Sequence, residues 1–109
     1  MENNQLLAQL HACAAVCNIC FEACLAEKDV DAMAACIELD RDCSDACLLA
    51  ASFVARNSPN AEKILQVVAG ICDRCAAECG QHETEHCLRC AEVCRHTAEA
   101  CRQNKVVHL

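Results

Sequence analysis

The fold is decided by the stretch from Cys72 to Cys94, which reads CDRCAAECGQHETEHCLRCAEVC. Its cysteines are three or four residues apart on both sides of Gly80. This spacing places side chains on one face of an α-helix. The stretch therefore predicts two helices, each with a cysteine face, and Gly80 is expected to end the first of them. Because the connection is short, the two helices should be antiparallel.

The same cysteine pattern extends over the rest of the chain. The cysteines form four groups, and neighbours within a group are 3, 4 or 7 residues apart. The groups are Cys13, Cys17, Cys20, Cys24; Cys36, Cys43, Cys47; Cys72, Cys75, Cys79; and Cys87, Cys90, Cys94, Cys101. The predicted helices are 5–26, 30–56, 59–79 and 84–103. They predict an all-α fold in one domain, 1–109: an up-down-up-down antiparallel four-helix bundle with an inward-facing cysteine core.

The segments between the groups are typical of helix ends. Glu27, Lys28 and Asp29 separate the first group from the second. Before the third helix, Ser58 is expected to be the N-cap and Pro59 the first helical residue.

Composition excludes several classes of protein. The chain has 109 residues with 14 cysteines, but only 2 glycines and 1 proline, too few turn residues for a β-fold. A net charge of −7 argues against nucleic acid and against an anionic membrane surface as partners. No apolar run approaches the length of a membrane span, and the N-terminus lacks the features of a secretory signal. We therefore expect a cytoplasmic protein with reduced thiols.

Antiparallel packing predicts which cysteines lie level with one another. If Cys24 is near Cys36, three layers follow. They are Cys13, Cys47, Cys72, Cys94; Cys17, Cys43, Cys75, Cys90; and Cys20, Asp40, Cys79, Cys87. Beyond the third layer lie Cys24, Cys36 and two histidines, His82 and His86. The opposite end is an apolar plug, in which Cys101 is the one thiol; the plug consists of Leu6, Leu10, Leu65, Val68 and Thr97.

Disulfides, packing and iron–sulfur chemistry explain this pattern poorly. Cβ atoms three or four residues apart on a helix are about 5–6 Å apart, whereas a disulfide needs about 3.5–4.5 Å. Bridges between helices are possible, but the expected compartment is reducing. Packing alone would be served better by Ala, Leu and Val. The spacing of Cys13, Cys17 and Cys20 matches that of radical-SAM enzymes, but those enzymes need a much larger barrel than this chain can form. Ferredoxin-type clusters bind through loop cysteines with a different spacing, which this chain lacks.

Thiolate metal binding remains, and charge favours Cu(I) over zinc. A zinc ion with four thiolates carries −2, and no Lys or Arg lies on the cysteine faces to compensate stacked sites. Each Cu(I) can instead replace one thiol proton, so the core charge stays unchanged. A zinc or general heavy-metal buffer and a structural, redox-sensing thiol bundle remain alternatives. We see no nucleophile–base pair or phosphate loop, so an enzyme is not expected.

Three other residues are candidates for the metal site. Asp40 fills the gap in the second cysteine face and is either a hydrogen-bonded buried carboxylate or a metal ligand. His82 and His86 are either solvated loop residues or an uptake site that passes copper to the thiols.

Two segments resemble the copper storage proteins, a family of copper-binding four-helix bundles. One is Cys36–Cys47; the other is Cys72–Cys94 with Gly80, His82 and His86. The resemblance implies storage of many Cu(I) ions along the core, a cytosolic protein and a homotetramer. The fuller cytosolic pattern has cysteine at the five plug positions, whereas this chain has Leu, Val or Thr at each of them. We therefore expect a reduced capacity, with the loss confined to the plug end.

Overall fold

The computed structural model describes residues 2–103, and within them it contains four α-helices. They are α1 (Glu2–Leu25), α2 (Ala34–Ala55), α3 (Ala61–Cys79) and α4 (Glu85–Gln103), with a short 3-10 turn, Asp31–Met33, before α2. Met1 and 104–109 of the predicted domain lie outside the described residues. The predicted all-α bundle is confirmed.

The start of α3 differs from the prediction. The helix begins at Ala61, after Asn60, rather than at Pro59. The Ser58 hydroxyl accepts a hydrogen bond from the Asn60 backbone N–H at 3.1 Å, and the Ser58 carbonyl accepts one from the Ala61 N–H. Ser58 thus stabilises a turn that precedes the helix. Asn57 has a φ of 57°, a left-handed conformation that asparagine tolerates, and this lets the chain reverse direction there.

Sulfur contacts show that neighbouring helices are antiparallel. Between α1 and α2, the sulfur of Cys24 lies 3.8 Å from that of Cys36, and the sulfur of Cys13 lies 4.0 Å from that of Cys43. Residue numbers rise on one helix as they fall on the other. Each helix packs against the next in sequence, and α4 packs against α1, which closes the bundle.

The core has two chemically different ends. All the cysteines are buried. At the end where α1 and α3 begin, the predicted plug is present, since Leu6, Leu10, Leu65 and Val68 are each 1% exposed or less. Thr97 is equally buried; its hydroxyl donates to the Val93 carbonyl at 2.8 Å and accepts from the Gln9 amide. The other end of the core carries the thiols and His86.

One helix bears on the prediction that no apolar run approaches the length of a membrane span. By length and composition alone, one described helix, Asn3–Leu25, is long and apolar enough to cross a membrane. A helix that contributes heavily to a bundle core passes the same test. The apolar residues of this helix include cysteines whose sulfurs contact the other helices and two leucines of the plug, Leu6 and Leu10.

Candidate metal centre

Every cysteine except Cys101 has a sulfur within 4.0 Å of another cysteine sulfur in the described chain. Helical spacing turns each of these side chains toward the bundle axis, and antiparallel packing brings the four faces together. The sulfur contacts of 4.0 Å or less fall into two sets, which adjoin where Cys75 of one set lies within 4.8 Å of Cys17, Cys90 and Cys94 of the other. The inner set is Cys13, Cys17, Cys43, Cys47, Cys72, Cys90 and Cys94. The mouth set is Cys20, Cys24, Cys36, Cys75, Cys79 and Cys87.

Both sets contain groups with the geometry of a metal site. In the inner set, the sulfurs of Cys13, Cys43, Cys47 and Cys72 all lie within 4.8 Å of one another. The shortest sulfur–sulfur contact, 3.0 Å between Cys36 and Cys79, lies in the mouth set. Within each set, one thiol is near several others. The arrangement therefore suits a metal whose thiolate ligands bridge between ions.

Asp40 joins the two sets. Its Oδ1 accepts hydrogen bonds from Cys90 of the inner set at 3.3 Å, and from Cys75 and Cys79 of the mouth set at 3.4 and 3.5 Å. The side chain is fully buried. Burial, reinforced by the nearby Cys90, raises the pKa of Asp40 to about 10. The group is therefore a neutral carboxylic acid at pH 7, whose oxygens accept from the thiols around it.

The two candidate histidines are placed differently. His86, on the first turn of α4, has Nδ1 3.5 Å from the sulfur of Cys87, 3.6 Å from that of Cys20 and 3.9 Å from that of Cys24. His82 follows the end of α3, and its Nε2 pairs with a carboxylate oxygen of Glu78 at 2.9 Å. The structure thus brings His86 to the thiols, while the described hydrogen bond of His82 is to Glu78 on α3.

Cys101 is buried in the plug, outside both sets of described sulfur contacts. Burial raises its pKa to about 12, with smaller contributions from Cys13 and Cys43. At the mouth, burial also raises the pKa of Cys24 and of Cys87. These thiols are therefore protonated at neutral pH, and a metal that binds there displaces protons.

The predicted layers differ from the structure at two cysteines. Cys43, expected in the second layer, has its closest sulfur contacts with Cys13, Cys72 and Cys94 of the first. Cys87 was expected level with Asp40, but its sulfur contacts Cys24 and Cys36 at 3.8 Å, nearer the mouth. Cys90 takes the predicted place beside Asp40. The connection between α3 and α4 sets the axial position of α4, and cysteine spacing alone does not reveal it.

Sequence reasoning missed a carboxylate beside His86. Glu27 was assigned only to the break between the first two helices, yet its Oε2 lies 3.0 Å from Nε2 of His86. The available signal was its position three residues after Cys24, at the same predicted end of the bundle.

The core holds no cationic side chain among the described residues. Its buried polar side chains are Asp40, Ser44 and Thr97. Several stacked four-thiolate zinc sites would thus be left with uncompensated negative charge in a medium of low polarity. A monovalent cation that replaces a thiol proton avoids that cost.

Residues 1–106 match the family model described as copper storage protein. The chain belongs to the copper storage protein family. Among its solved relatives, it is 37% identical to the Cu(I)-bound copper storage protein BsCsp3 of Bacillus subtilis; the match covers 94% of this chain and 96% of that one, with a TM-score of 0.90. A cytosolic copper storage protein from Streptomyces lividans with five coppers is 33% identical, over 94% of this chain and 90% of that one, also with a TM-score of 0.90.

A curated relative adds a sequence comparison within the family. The uncharacterized cysteine-rich protein YhjQ of Bacillus subtilis (strain 168) is 42% identical over 90 residues, which is 83% of each chain. The predicted family membership is thus confirmed by a family model, by sequence and by structure.

Proposed function

We propose that this protein binds and stores multiple Cu(I) ions through the cysteine thiolates of its core. The observation that carries the proposal is the network of buried sulfurs 3.0–4.0 Å apart that runs along the bundle. Soft thiolate ligands favour Cu(I), and a thiolate can bridge two coppers. One relative whose structure is Cu(I)-bound and another whose structure holds five coppers support this choice. Storage, rather than catalysis, is the role that fits a site made almost entirely of thiols.

Charge balance separates Cu(I) from the zinc alternative. When a thiol loses its proton to solvent and gains a Cu(I) ion, the core charge does not change. The core can then fill without cationic side chains, which agrees with the absence of buried Lys or Arg among residues 3–103. The proposed ligands are the cysteine thiolates, with Asp40 at the junction of the two sets and His86 at the mouth.

The capacity of the protein tests the storage function directly. We expect an anaerobic titration of reduced protein with Cu(I), against a coloured chelator, to saturate near the count of 14 cysteines. The matched variants are Cys43→Ala and Cys101→Ala. Cys43 contacts Cys13, Cys72 and Cys94, so its loss should lower the capacity. Cys101 lies outside the described sulfur network, so its loss should leave the capacity nearly unchanged. Saturation at about one to four ions, as for a single closed site, would contradict storage.

Uptake is proposed to occur at the end of the bundle that carries His82 and His86. Only His86 faces the thiols in the described contacts. Loss of a residue that merely holds a metal ligand in place typically lowers metal affinity or activity 10–100-fold. We therefore expect His86→Ala to slow loading at least about tenfold and to leave the capacity nearly unchanged. The control is His82→Ala, which should load at nearly the wild-type rate. Stopped-flow transfer from the chelator measures both; equal slowing would mean that both imidazoles are on the uptake path.

We also infer a cytoplasmic location and a homo-oligomer, a tetramer in keeping with the family resemblance. Reduced, closely spaced thiols suit a reducing compartment. The relative from Streptomyces lividans is described as cytosolic. Leu48, Leu49 and Val67 are 43%, 49% and 60% exposed on α2 and α3, and they offer apolar surface for a subunit contact.

A further inference from the structure

The imidazole of His86 is held from both sides. Its Nδ1 faces the sulfurs of Cys20, Cys24 and Cys87 at 3.5–3.9 Å. Its Nε2 lies 3.0 Å from Oε2 of Glu27, which belongs to the segment after α1. The ring therefore spans the mouth, from the thiols of the core to a carboxylate on a different segment.

The carboxylate decides which nitrogen is available to a metal. An ionised carboxylate only accepts hydrogen bonds, so the proton of the neutral imidazole lies on Nε2. The lone pair is then on Nδ1, the nitrogen that faces the three thiols. A rotated ring would turn Nδ1 away from the thiols and present an N–H or C–H edge to them.

Glu27 is itself held in place relative to the thiols. Its backbone N–H donates to the carbonyl of Cys24 at 3.2 Å, in the turn that ends α1. One short segment therefore supplies both Cys24, on one side of the His86 ring, and the carboxylate on the other. The side chain of Glu27 is 36% exposed, so the pair lies at the surface end of the site, where Cu(I) would arrive.

The second histidine provides an internal comparison. His82 and His86 have side chains 19% and 20% exposed, and each pairs through Nε2 with a glutamate at about the same distance. Glu78 holds His82 from one turn earlier in the chain, whereas Glu27 holds His86 from across the mouth. Only for His86 do the described contacts place thiols on the other side of the ring.

From this geometry we propose that Glu27 is a positioning residue for copper uptake. It fixes His86 with Nε2 protonated and Nδ1 directed at Cys20, Cys24 and Cys87, so that the first Cu(I) arrives at a preformed site of one nitrogen and three sulfurs. This proposal rests on the storage function proposed above. Carboxylates that bind the second nitrogen of a metal-ligating histidine set its orientation and tautomer in the same way.

Loading kinetics of three variants test the proposal. Glu27→Ala is expected to slow the initial uptake of Cu(I) from a coloured chelator about tenfold, with unchanged capacity. Glu27→Gln keeps a carbonyl oxygen that accepts from Nε2–H but removes the charge, and it should restore most of the rate. Glu78→Ala removes the equivalent partner of His82 and should load like the wild type. If Glu27→Gln is as slow as Glu27→Ala, charge rather than orientation is responsible and the proposal is wrong. Equal slowing in Glu78→Ala would also overturn it.

A measurement on metal-free protein separates this proposal from the storage function. In proton NMR of the reduced protein, the Nε2–H of His86 should give a downfield resonance that is lost in Glu27→Ala and kept in Glu27→Gln and Glu78→Ala. Persistence of that resonance in Glu27→Ala would overturn the positioning role whatever the copper capacity. A low capacity with the expected NMR pattern would contradict storage and leave Glu27 as the partner that holds the ring.

Discussion

Replacing Leu10 with alanine should lower the free energy of unfolding of the metal-free protein by about 3–4 kcal/mol. Leu10 is completely buried in the apolar plug, and its truncation leaves a cavity that rigid helices fill only in part. Elsewhere the core consists mainly of cysteine and alanine, which are small. The plug therefore contains most of the large aliphatic side chains that stabilise the bundle before copper binds.

The free energy of unfolding of a native protein is about 5–15 kcal/mol, so the loss expected for Leu10→Ala is a large part of it. Anaerobic urea denaturation with a thiol reductant, followed by circular dichroism, measures it. The control is Leu48→Ala on α2, where the side chain is 43% exposed and the expected loss is below about 1 kcal/mol. Similar losses in the two variants would show that the plug has no special role. Copper binds the folded state, so loading should raise the stability of both variants.

The stability of the metal-free protein should fall as the pH rises, because of Asp40. The pKa of this carboxyl is about 10 in the folded protein, against about 3.9 in an unfolded chain. Between these values folding takes up a proton, so the stability due to the neutral acid is complete below the unfolded pKa and is lost as the pH rises toward the folded pKa. From pH 5 to pH 7 this amounts to about 2.5 kcal/mol.

Asparagine at this position isolates the effect. Asp40→Asn keeps an oxygen that accepts from the thiols but cannot ionise. Between pH 5 and pH 7 the free energy of unfolding of this variant should therefore fall by about 2.5 kcal/mol less than that of the wild type. Ser44→Ala, another buried polar position that does not ionise, should keep the wild-type slope. Urea denaturation at several pH values provides the measurement. Parallel slopes for the wild type and Asp40→Asn would mean that Asp40 ionises normally in the fold.

Cysteine spacing was sufficient to predict the bundle because helical periodicity depends only on local geometry. Positions three and four residues apart share a face in any α-helix, so the four faces and their burial could be predicted without tertiary contacts. The start of α3 could not, because Ser58 can cap either a helix or the turn before it. The axial position of α4 depends on how the connection after Gly80 folds, which moved Cys87 toward the mouth.

In the candidate site, too, some features could be predicted from helical periodicity and others depend on tertiary contacts. The burial of Asp40 among thiols followed from its place in the second cysteine face. The difference between His82 and His86 did not follow from sequence, because both lie near the connection before α4. Ring direction is set by the partner glutamates, and Glu27 reaches His86 from a part of the chain 59 residues away.

The apolar plug also determines the order in which copper can move. Leu6, Leu10 and Leu65 close one end of the core, so copper that enters at the proposed uptake end, beside His86, should also leave there. Copper bound to the inner set would lie behind Asp40 and the mouth set, so it should leave after the copper bound nearer the mouth. We therefore expect the copper that is taken up last to be released first, and the copper bound deepest in the core to be released last.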